Sequence, residues 1–320
     1  MPQKRTLDSF FKPAESQAKK SRTETSTRSS SHVSYPFHIP ELPLSIADAL
    51  MFAPAEEPKV INDQPDLDLL YFQPYIPAAI IGDYFRFLRA ELPFYRVQYS
   101  IKRGSIETQI NTPRYTTVFG VDASSVFSPD GDLLDQASKR SVPGDRYKCQ
   151  PRPIPACLDV LRNLTEGSTG QTYNFCLVNY YASGNDSISY HSDDEAFLEQ
   201  NPAIASFSLG ARRDFLLRHK PVAPGLSSEN APKAKDLKFP LGPGDMILMR
   251  GPTQKNWLHS IPKRKGGEAD RGRINITFRK AMVRGGTENY YRYNVGGGPV
   301  YKWDQASNAM KLWTDEKRGD

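Results

Sequence analysis

The sequence contains few cysteines and no long apolar run. Its three cysteines, Cys149, Cys157 and Cys176, form neither a CxxC pair nor an even set, which argues against a disulfide framework and a structural zinc site. No stretch approaches the roughly 18 apolar residues of a membrane span, and the N-terminus lacks the apolar core of a signal peptide. Glycine-rich phosphate loops of standard spacing are also missing, so nucleotide-cofactor binding has no support. We therefore expect a soluble intracellular protein.

Hydrophobic residues make up only 38% of the 320 residues, and 26 prolines and 22 glycines suggest that part of the chain is not packed. The 16 Phe, 16 Tyr and 3 Trp residues nevertheless supply a core, which excludes wholesale disorder. The net charge is +6. Residues 1–34 hold seven basic and three acidic side chains, so 7 − 3 = +4 falls there and predicts a disordered basic tail. Such tails are either solvated ends or signals for the nucleus, and Lys19, Lys20 and Arg22 fit a nuclear localisation signal.

One peptide in the tail has an ordered pattern. The residues from Lys4 to Phe11 read KRTLDSFF, and a short helical turn brings Leu7, Phe10 and Phe11 to one side. The peptide resembles the box by which replication and repair proteins bind the sliding clamp, except that Lys4 stands where the box has Gln. An incidental apolar stub is the alternative interpretation.

The remaining chain divides into a proline-rich extended lead-in (35–75), a main folded domain (76–300) and a C-terminal extension (301–320). Apolar spacing predicts helices over about 78–92 and 154–164. Short alternating segments separated by turn residues predict strands, which favours an antiparallel sandwich or barrel over a parallel α/β sheet. The expected strands are Tyr173–Tyr181, Ser187–Asp193, Ala203–Leu209, Asp214–Arg218, Asp245–Arg250 and Arg273–Arg279.

A His-x-Asp pair ends one of these strands. His191 and Asp193 are two residues apart and so share a face of the strand, which gives two of the three ligands of a 2-His-1-carboxylate iron(II) site. Such a pair is common by chance, and a distant second histidine has to complete the site. His219 and His259 are the candidates, and we favour His259 because His219 lies between Arg218 and Lys220 and is expected to be solvated.

The last predicted strand alternates polar and apolar residues without a break. Its apolar face is Ile274, Ile276 and Phe278, and its polar face is Arg273, Asn275, Thr277 and Arg279. A solvated sheet face is one interpretation. The alternative is the mouth of a barrel, where the two arginines bind the carboxylates of a dicarboxylic cosubstrate. Asn179 and Tyr181 form another i, i+2 pair that could hydrogen-bond the same ligand.

Taken together, these motifs resemble the AlkB family of Fe(II)- and 2-oxoglutarate-dependent dioxygenases over about residues 75–295. The resemblance is closest to the eukaryotic nucleic-acid repair branch, because the chain has HxDDE rather than HxD alone. It implies an α+β fold in which an antiparallel double-stranded β-helix (jelly roll) has flanking helices. The motifs that carry it are the segments Asn179–Tyr181, His191–Glu195, Ile204–Gly210, Arg213–Phe215, His259–Pro262 and Arg273–Arg279, with Gly184, Asp186 and Ile188.

The resemblance also implies a role for each matching residue. His191, Asp193 and His259 match the iron ligands, and residues that match the cosubstrate site are Asn179, Tyr181, Arg273, Asn275, Thr277 and Arg279. Glu195, with Asp194 as a second choice, matches the acidic position that recognises the damaged base. Tyr147 is the candidate aromatic lid, with packing in the upstream sheet as the alternative. Arg114 has three possible roles: it forms the floor of the pocket, contacts phosphate or belongs to a structural turn.

The implied activity is oxidative removal of N-alkyl groups, such as those of 1-methyladenine and 3-methylcytosine, from DNA with release of formaldehyde. Demethylation of RNA or protein and a catalytically silent clamp-binding scaffold are the alternatives. Fe(II) and the cosubstrate 2-oxoglutarate are the expected cofactors, the nucleus is the expected compartment, and a monomer is expected. Basic pairs are candidate contacts with the nucleic-acid backbone, among them Lys102/Arg103, Lys139/Arg140 and Arg212/Arg213.

Overall fold

Antiparallel strands dominate the computed structural model, which describes residues 29–221, 234–283, 288, 290, 291 and 298–314. The helices in this part of the chain are α1 (Leu44–Leu50), α2 (Ile81–Glu91), α3 (Ala156–Thr169) and α4 (Thr253–Asn256), with a 3-10 turn at Ala269–Arg271. The first ten strands are β1 (Ser29–Ser30), β2 (Ile39–Pro40), β3 (Lys59–Ile61), β4 (Leu69–Phe72), β5 (Phe94–Tyr95), β6 (Gln98–Arg103), β7 (Ile106–Asn111), β8 (Tyr115–Gly120), β9 (Ser125–Phe127) and β10 (Leu133–Asp135).

The later strands contain the predicted motifs. They are β11 (Phe175–Tyr181), β12 (Ile188–His191), β13 (Ile204–Gly210), β14 (Arg213–His219), β15 (Leu237–Leu241), β16 (Met246–Met249), β17 (Trp257–Ile261), β18 (Arg273–Arg279), β19 (Val300–Asp304) and β20 (Ala309–Leu312). One sheet has ten strands in the order β20-β19-β5-β8-β11-β18-β13-β16-β4-β3, and a second has the order β12-β17-β14-β15. The two sheets form the predicted antiparallel jelly roll.

Two apolar layers lie on either side of the ten-stranded sheet. In β18, Ile274, Ile276 and Phe278 point into the layer that packs under α2 and α3. The second layer lies between the two sheets, where residues of the large sheet such as Leu177 meet residues of the small sheet such as Phe215. Because alternate residues of a strand face opposite ways, the polar residues of β18 lie between the sheets. A solvated face is therefore excluded, since all seven residues of β18 are buried.

The two predicted helices cover the outer face of the large sheet. Helix α2 buries Tyr84, Phe85 and Leu88. Helix α3 runs about one turn further than expected and ends at Gly170, whose φ of 68° lies in the left-handed region that favours glycine. These contacts fix the large sheet from behind and leave its other face to line the site.

The segments on either side of the expected main domain contain more secondary structure than the sequence indicates. The stretch 35–75, expected to be an extended lead-in, contains α1 and β4, and β4 pairs with β16 inside the large sheet. Strand β19, at the start of the expected C-terminal extension, pairs with β5. Both segments are thus integral to the sheet. In the part of the chain that the structure describes, no helix is long and apolar enough to cross a membrane.

Candidate active site

Two neighbouring strands of the small sheet bring three metal-ligating side chains together. His191 is the last residue of β12 and lies directly opposite His259 of β17. Asp193 follows two residues after the strand ends, and its carboxylate oxygens lie 3.9 Å from His191 Nε2 and 3.7 Å from His259 Nε2. The ligand atoms of all three lie within 4.8 Å of one another. The structure therefore brings His259 together with the His-x-Asp pair, as a possible iron site requires.

The protonation states and the hydrogen bonds of the triad residues favour the binding of a cation. Burial lowers the pKa of His259 to about 3, so its imidazole is neutral and has a free lone pair. Burial alone raises the pKa of a carboxyl group, but Arg279 and the two histidines lower that of Asp193 below its ordinary value. Arg279 Nη2 lies 2.9 Å from Asp193 Oδ1. The main-chain N–H of Asp193 donates to Gln254 Oε1 at 3.0 Å, which fixes the backbone beyond the strand.

The triad opens into a cavity of about 690 Å³ between the two sheets. Arg273 and Arg279, the first and last residues of β18, both line this cavity. At about 3.3 Å per residue they are roughly 20 Å apart along the strand, so they mark two separate ends of the site. Arg279 contacts the triad, whereas Arg273 lies at the other end.

The Arg273 end has the features of a carboxylate site. Arg273 is 1% exposed, and its Nε donates to Ser208 Oγ at 2.8 Å. Its Nη1 is buried without a hydrogen-bond partner among the described residues. Burial lowers the pKa of Arg273 to about 10, which still leaves it charged at neutral pH. A buried cation with an unused donor fits an anionic ligand, and Tyr181, whose ring centroid lies 5.4 Å from the guanidinium carbon, completes this wall.

Asn179 is held in place beside this end. Its Oδ1 accepts hydrogen bonds from Arg114 Nε at 3.2 Å and from Thr116 Oγ1 at 3.0 Å. The amide nitrogen of Asn179 is then the group left to donate to a ligand. Arg114 also donates to the carbonyl of Ser187 at 3.4 Å, so it ties β8 to the start of β12 while lining the cavity.

Asn275 and Thr277 line the cavity, yet their hydrogen bonds hold the sheet together. Asn275 Nδ2 donates to Ser206 Oγ at 2.9 Å and to the carbonyl of Phe207 at 2.7 Å. Thr277 Oγ1 donates to the carbonyl of Leu177 at 3.1 Å. These bonds cross-link β18 to both neighbouring strands, and so the two residues position the cavity wall.

The Arg279 end contains an acidic side chain in a network of donors. Arg279 Nη1 lies 3.4 Å from Glu195 Oε1 and donates to Tyr290 Oη at 3.0 Å. The hydroxyl of Tyr290 in turn donates to Glu195 Oε1. Arg279, expected beside the cosubstrate and the base pocket, forms ion pairs with both Asp193 and Glu195. It therefore connects the metal-ligating carboxylate to the acidic side chain at this end of the cavity.

Several predicted residues lie elsewhere. Asp194 is turned outward, 48% exposed, and pairs with Lys220 Nζ at 2.7 Å. Tyr147 is not a lid, because it is buried outside the cavity and its hydroxyl donates to Asp122 Oδ2 at 2.9 Å. His219 is not solvated, since its side chain is 17% exposed and its ring packs edge-on against Trp257.

One member of the basic pair Arg212/Arg213 is structural, whereas Arg212 is exposed. Arg213 is fully buried, and its guanidinium donates to the carbonyls of Ser183, Asp186 and Pro262. It is therefore unable to contact a nucleic-acid backbone. The tail residues Leu7, Phe10 and Phe11 lie outside the described residues.

Two site residues were missed from the sequence. Gln254 lies on the short helix α4 in a segment without any motif, and Tyr290 follows Arg279 by eleven residues. Neither follows a periodic pattern that would predict its position. The aromatic pair Tyr290-Tyr291 in a polar stretch was the one available signal.

Two imidazoles on adjacent antiparallel strands and a carboxylate just beyond one of them give the donor set of non-haem iron(II) sites. A cationic end with an unused, buried donor fits a dicarboxylate that binds near the metal. Fold and site thus define the class of protein: a jelly-roll oxygenase of the 2-His-1-carboxylate type.

Comparison with known proteins agrees with this class. The model of the 2OG-Fe(II) oxygenase superfamily matches residues 68–279. Human DNA oxidative demethylase ALKBH2 is 41% identical over 42% of this chain and 49% of its own length. Human alpha-ketoglutarate-dependent dioxygenase alkB homolog 3 is 40% identical over 42% of this chain and 46% of its own length. The Arabidopsis thaliana ALKBH2 is 29% identical over 67% of each chain.

The chain therefore belongs to the 2OG-Fe(II) oxygenase superfamily. Its similarity to the ALKBH2 and alkB homolog 3 proteins supports the predicted resemblance to the AlkB family. Fe(II) and 2-oxoglutarate are the cofactors of the superfamily, and the residues described above fit both. The matched stretch spans about half the length of the human relatives.

Proposed function

We propose that this protein is a dioxygenase that removes N-alkyl groups from the bases of DNA by oxidation and releases formaldehyde. The observation that carries the proposal is one cavity that joins three features. These are the triad of His191, Asp193 and His259, the unpaired cation Arg273 and the acidic side chain Glu195. The site thus offers places for a metal, a dicarboxylate and a base with a hydrogen-bond donor.

Different residues of the cavity would bind the metal and the 2-oxoglutarate. The triad would bind iron through two neutral imidazoles and one carboxylate, and Arg273 would pair with a carboxylate of 2-oxoglutarate while Asn179 donates a hydrogen bond. When bound, iron and 2-oxoglutarate supply the oxidising chemistry. The contribution of the protein is to fix the ligands and to bury the reaction between the sheets, away from bulk water.

Glu195 supports an alkylated base as the substrate. Methylation at N1 of adenine or N3 of cytosine makes the base cationic and keeps an exocyclic N–H, which a carboxylate accepts well. The base has to leave its stack to reach the cavity, at a cost of a few kcal/mol that is smaller where alkylation has already disrupted pairing. The names of the human and plant ALKBH2 relatives, DNA oxidative demethylases, agree with a DNA base as the target.

Two further parts of the proposal concern the tail. We propose that Lys4–Phe11 binds the replication sliding clamp and that the basic tail directs the protein to the nucleus. The predicted disordered tail is shorter than 1–34, because β1 (Ser29–Ser30) pairs with β2 and His32 hydrogen-bonds to the carbonyl of Gly131. Deleting residues 1–28 should then abolish binding to purified clamp and leave dealkylation of a free oligonucleotide unchanged. Clamp binding by the truncated chain would show that another surface is responsible.

The experiment for the main proposal measures formaldehyde from oligonucleotides that each contain a single 3-methylcytosine. Single-stranded DNA, duplex DNA and RNA are compared under air with Fe(II) and 2-oxoglutarate, using wild type and His191→Ala. The proposal predicts formaldehyde from DNA with wild type and none with the variant. Turnover confined to RNA would identify an RNA demethylase. Iron binding without turnover on any strand would favour a methylated protein target or the scaffold interpretation.

A further inference from the structure

Tyr290 contacts the acidic end of the cavity from a part of the chain that carries none of the family motifs. Its hydroxyl donates to Glu195 Oε1 and accepts from Arg279 Nη1 at 3.0 Å. Burial raises the pKa of Tyr290, so the phenol stays protonated and remains a donor near neutral pH. The carboxylate of Glu195 is therefore held from outside the HxDDE segment.

The neighbouring residue anchors this tyrosine. Tyr291 is 1% exposed, accepts a hydrogen bond from Arg152 N at 3.1 Å and donates to the carbonyl of Gly120. The ring of Tyr290 itself packs 5.5 Å from that of Phe175. With the ring packed and the next residue buried, the hydroxyl has a fixed position from which to orient Glu195.

The two oxygens of the Glu195 carboxylate have different surroundings. Oε1 accepts hydrogen bonds from the hydroxyl of Tyr290 and from Arg279 Nη1. Oε2 is buried and accepts no hydrogen bond from any described residue. A buried carboxylate oxygen without a donor is unfavourable. A ligand N–H that donates a hydrogen bond to Oε2 therefore contributes most to the binding free energy. The network thus leaves one acceptor of fixed direction.

We propose that Tyr290 is a positioning residue that makes the site selective for alkylated bases with an exocyclic amino group over bases with a carbonyl at the same place. The inference rests on the proposed function, since it assumes that Glu195 faces the base. An amino group donates to the fixed Oε2, whereas a carbonyl oxygen brought to the same point is repelled by it. Without the hydroxyl of Tyr290, the carboxylate of Glu195 keeps, among the described residues, only the 3.4 Å contact with Arg279, so it is held less firmly and both effects weaken.

3-Methylcytosine and 3-methyluracil test this selectivity directly, because both carry an N3-methyl group and differ at C4. 3-Methylcytosine has an amino group there, which also makes it cationic, and 3-methyluracil has a carbonyl. Full-length protein is loaded with 2-oxoglutarate and Mn(II), which replaces Fe(II) and prevents turnover. Binding of single-stranded oligonucleotides with either base is measured by fluorescence anisotropy. The ratio of the two Kd values is compared for wild type, Tyr290→Phe, Glu195→Gln and the double variant.

Wild type should prefer 3-methylcytosine by about 10-fold or more, as expected for a hydrogen bond to a charged group. Tyr290→Phe keeps the packed ring and should bring the ratio to within about threefold of one. In the Glu195→Gln background the same change should have almost no further effect, because the group it positions is gone. Tyr301→Phe is the matched control, since it removes a phenol outside the cavity and should leave the ratio as in wild type.

A wild-type protein that does not discriminate, or a ratio unchanged by Tyr290→Phe, would overturn the inference. So would an equal loss of affinity for both bases, which is the result of a merely structural role. Turnover with Fe(II) is measured separately on the same oligonucleotides. Selective binding that depends on Tyr290, without formaldehyde, would support the inference and contradict the proposed function.

Discussion

Replacing Arg273 with methionine separates its role in binding from any role in folding. Arg273 is 1% exposed and has no ion pair with a carboxylate among the described residues. Its Nε donates to Ser208 at 2.8 Å, and its Nη1 has no hydrogen-bond partner in the part of the chain that the structure describes. Without 2-oxoglutarate the protein therefore carries the desolvation cost of a buried charge. Removing that charge should leave the free energy of unfolding unchanged or raise it by about 1 kcal/mol, because an apolar side chain of similar length fills the space.

The same change should strongly weaken 2-oxoglutarate binding. Two charge-assisted hydrogen bonds to a carboxylate, at about 1.5 kcal/mol each as a lower value, amount to roughly 3 kcal/mol. That loss corresponds to a Kd about 150-fold higher. Titration calorimetry of 2-oxoglutarate into Mn(II)-loaded protein measures the affinity, and urea unfolding without 2-oxoglutarate measures the stability.

Arg271→Met is the matched control, because Arg271 is exposed in the 3-10 turn two residues before Arg273. It should change neither quantity. An Arg273→Met protein that loses several kcal/mol of stability without the ligand would show that the residue holds the fold. Unchanged 2-oxoglutarate affinity would refute its assignment as the carboxylate partner.

Four further substitutions probe the triad and the acidic end. Arg279→Met leaves the buried Asp193 without its cation, so we expect a loss of about 3–5 kcal/mol in unfolding free energy in urea, and equal stability would contradict the pairing. Gln254→Leu removes the acceptor of the Asp193 main-chain N–H and should weaken Mn(II) binding about 10-fold in calorimetry, whereas unaltered affinity would show that the loop is held otherwise. Asp194→Asn should leave the kcat/KM for a 3-methylcytosine oligonucleotide within about twofold, whereas Glu195→Gln should lower it at least 10-fold; equal effects would contradict the outward position of Asp194.

The sequence predicts those site residues that lie on regular strands. Strand β18 begins at Arg273 and ends at Arg279, as predicted, because its alternation places every polar side chain on one face and every apolar one on the other. His259 was found by elimination among five histidines, and the register of β12 and β17 brings it opposite His191. The structure matches the sequence prediction at positions where the strand periodicity and the residue type indicate the same role.

For residues beyond the ends of the strands, the sequence does not indicate which way a side chain points. Asp194 and Glu195 are adjacent and chemically alike, yet one pairs with Lys220 at the surface and the other lines the cavity. The choice depends on which partners the fold brings near, and that information is distant in sequence. Tyr290 reaches Glu195 across 95 residues, and Tyr147 hydrogen-bonds to Asp122 instead of covering the site. No local pattern encodes such contacts.

The most direct test of the account is to quantify succinate and formaldehyde in the same reaction on an oligonucleotide with one 3-methylcytosine. If one cavity holds 2-oxoglutarate at the Arg273 end and the base at the Glu195 end, wild type should form the two products in equal amounts. His191→Ala should form neither. Succinate without formaldehyde, at a rate independent of the alkylated base, would contradict the account, because the base would then not occupy the cavity assigned to it.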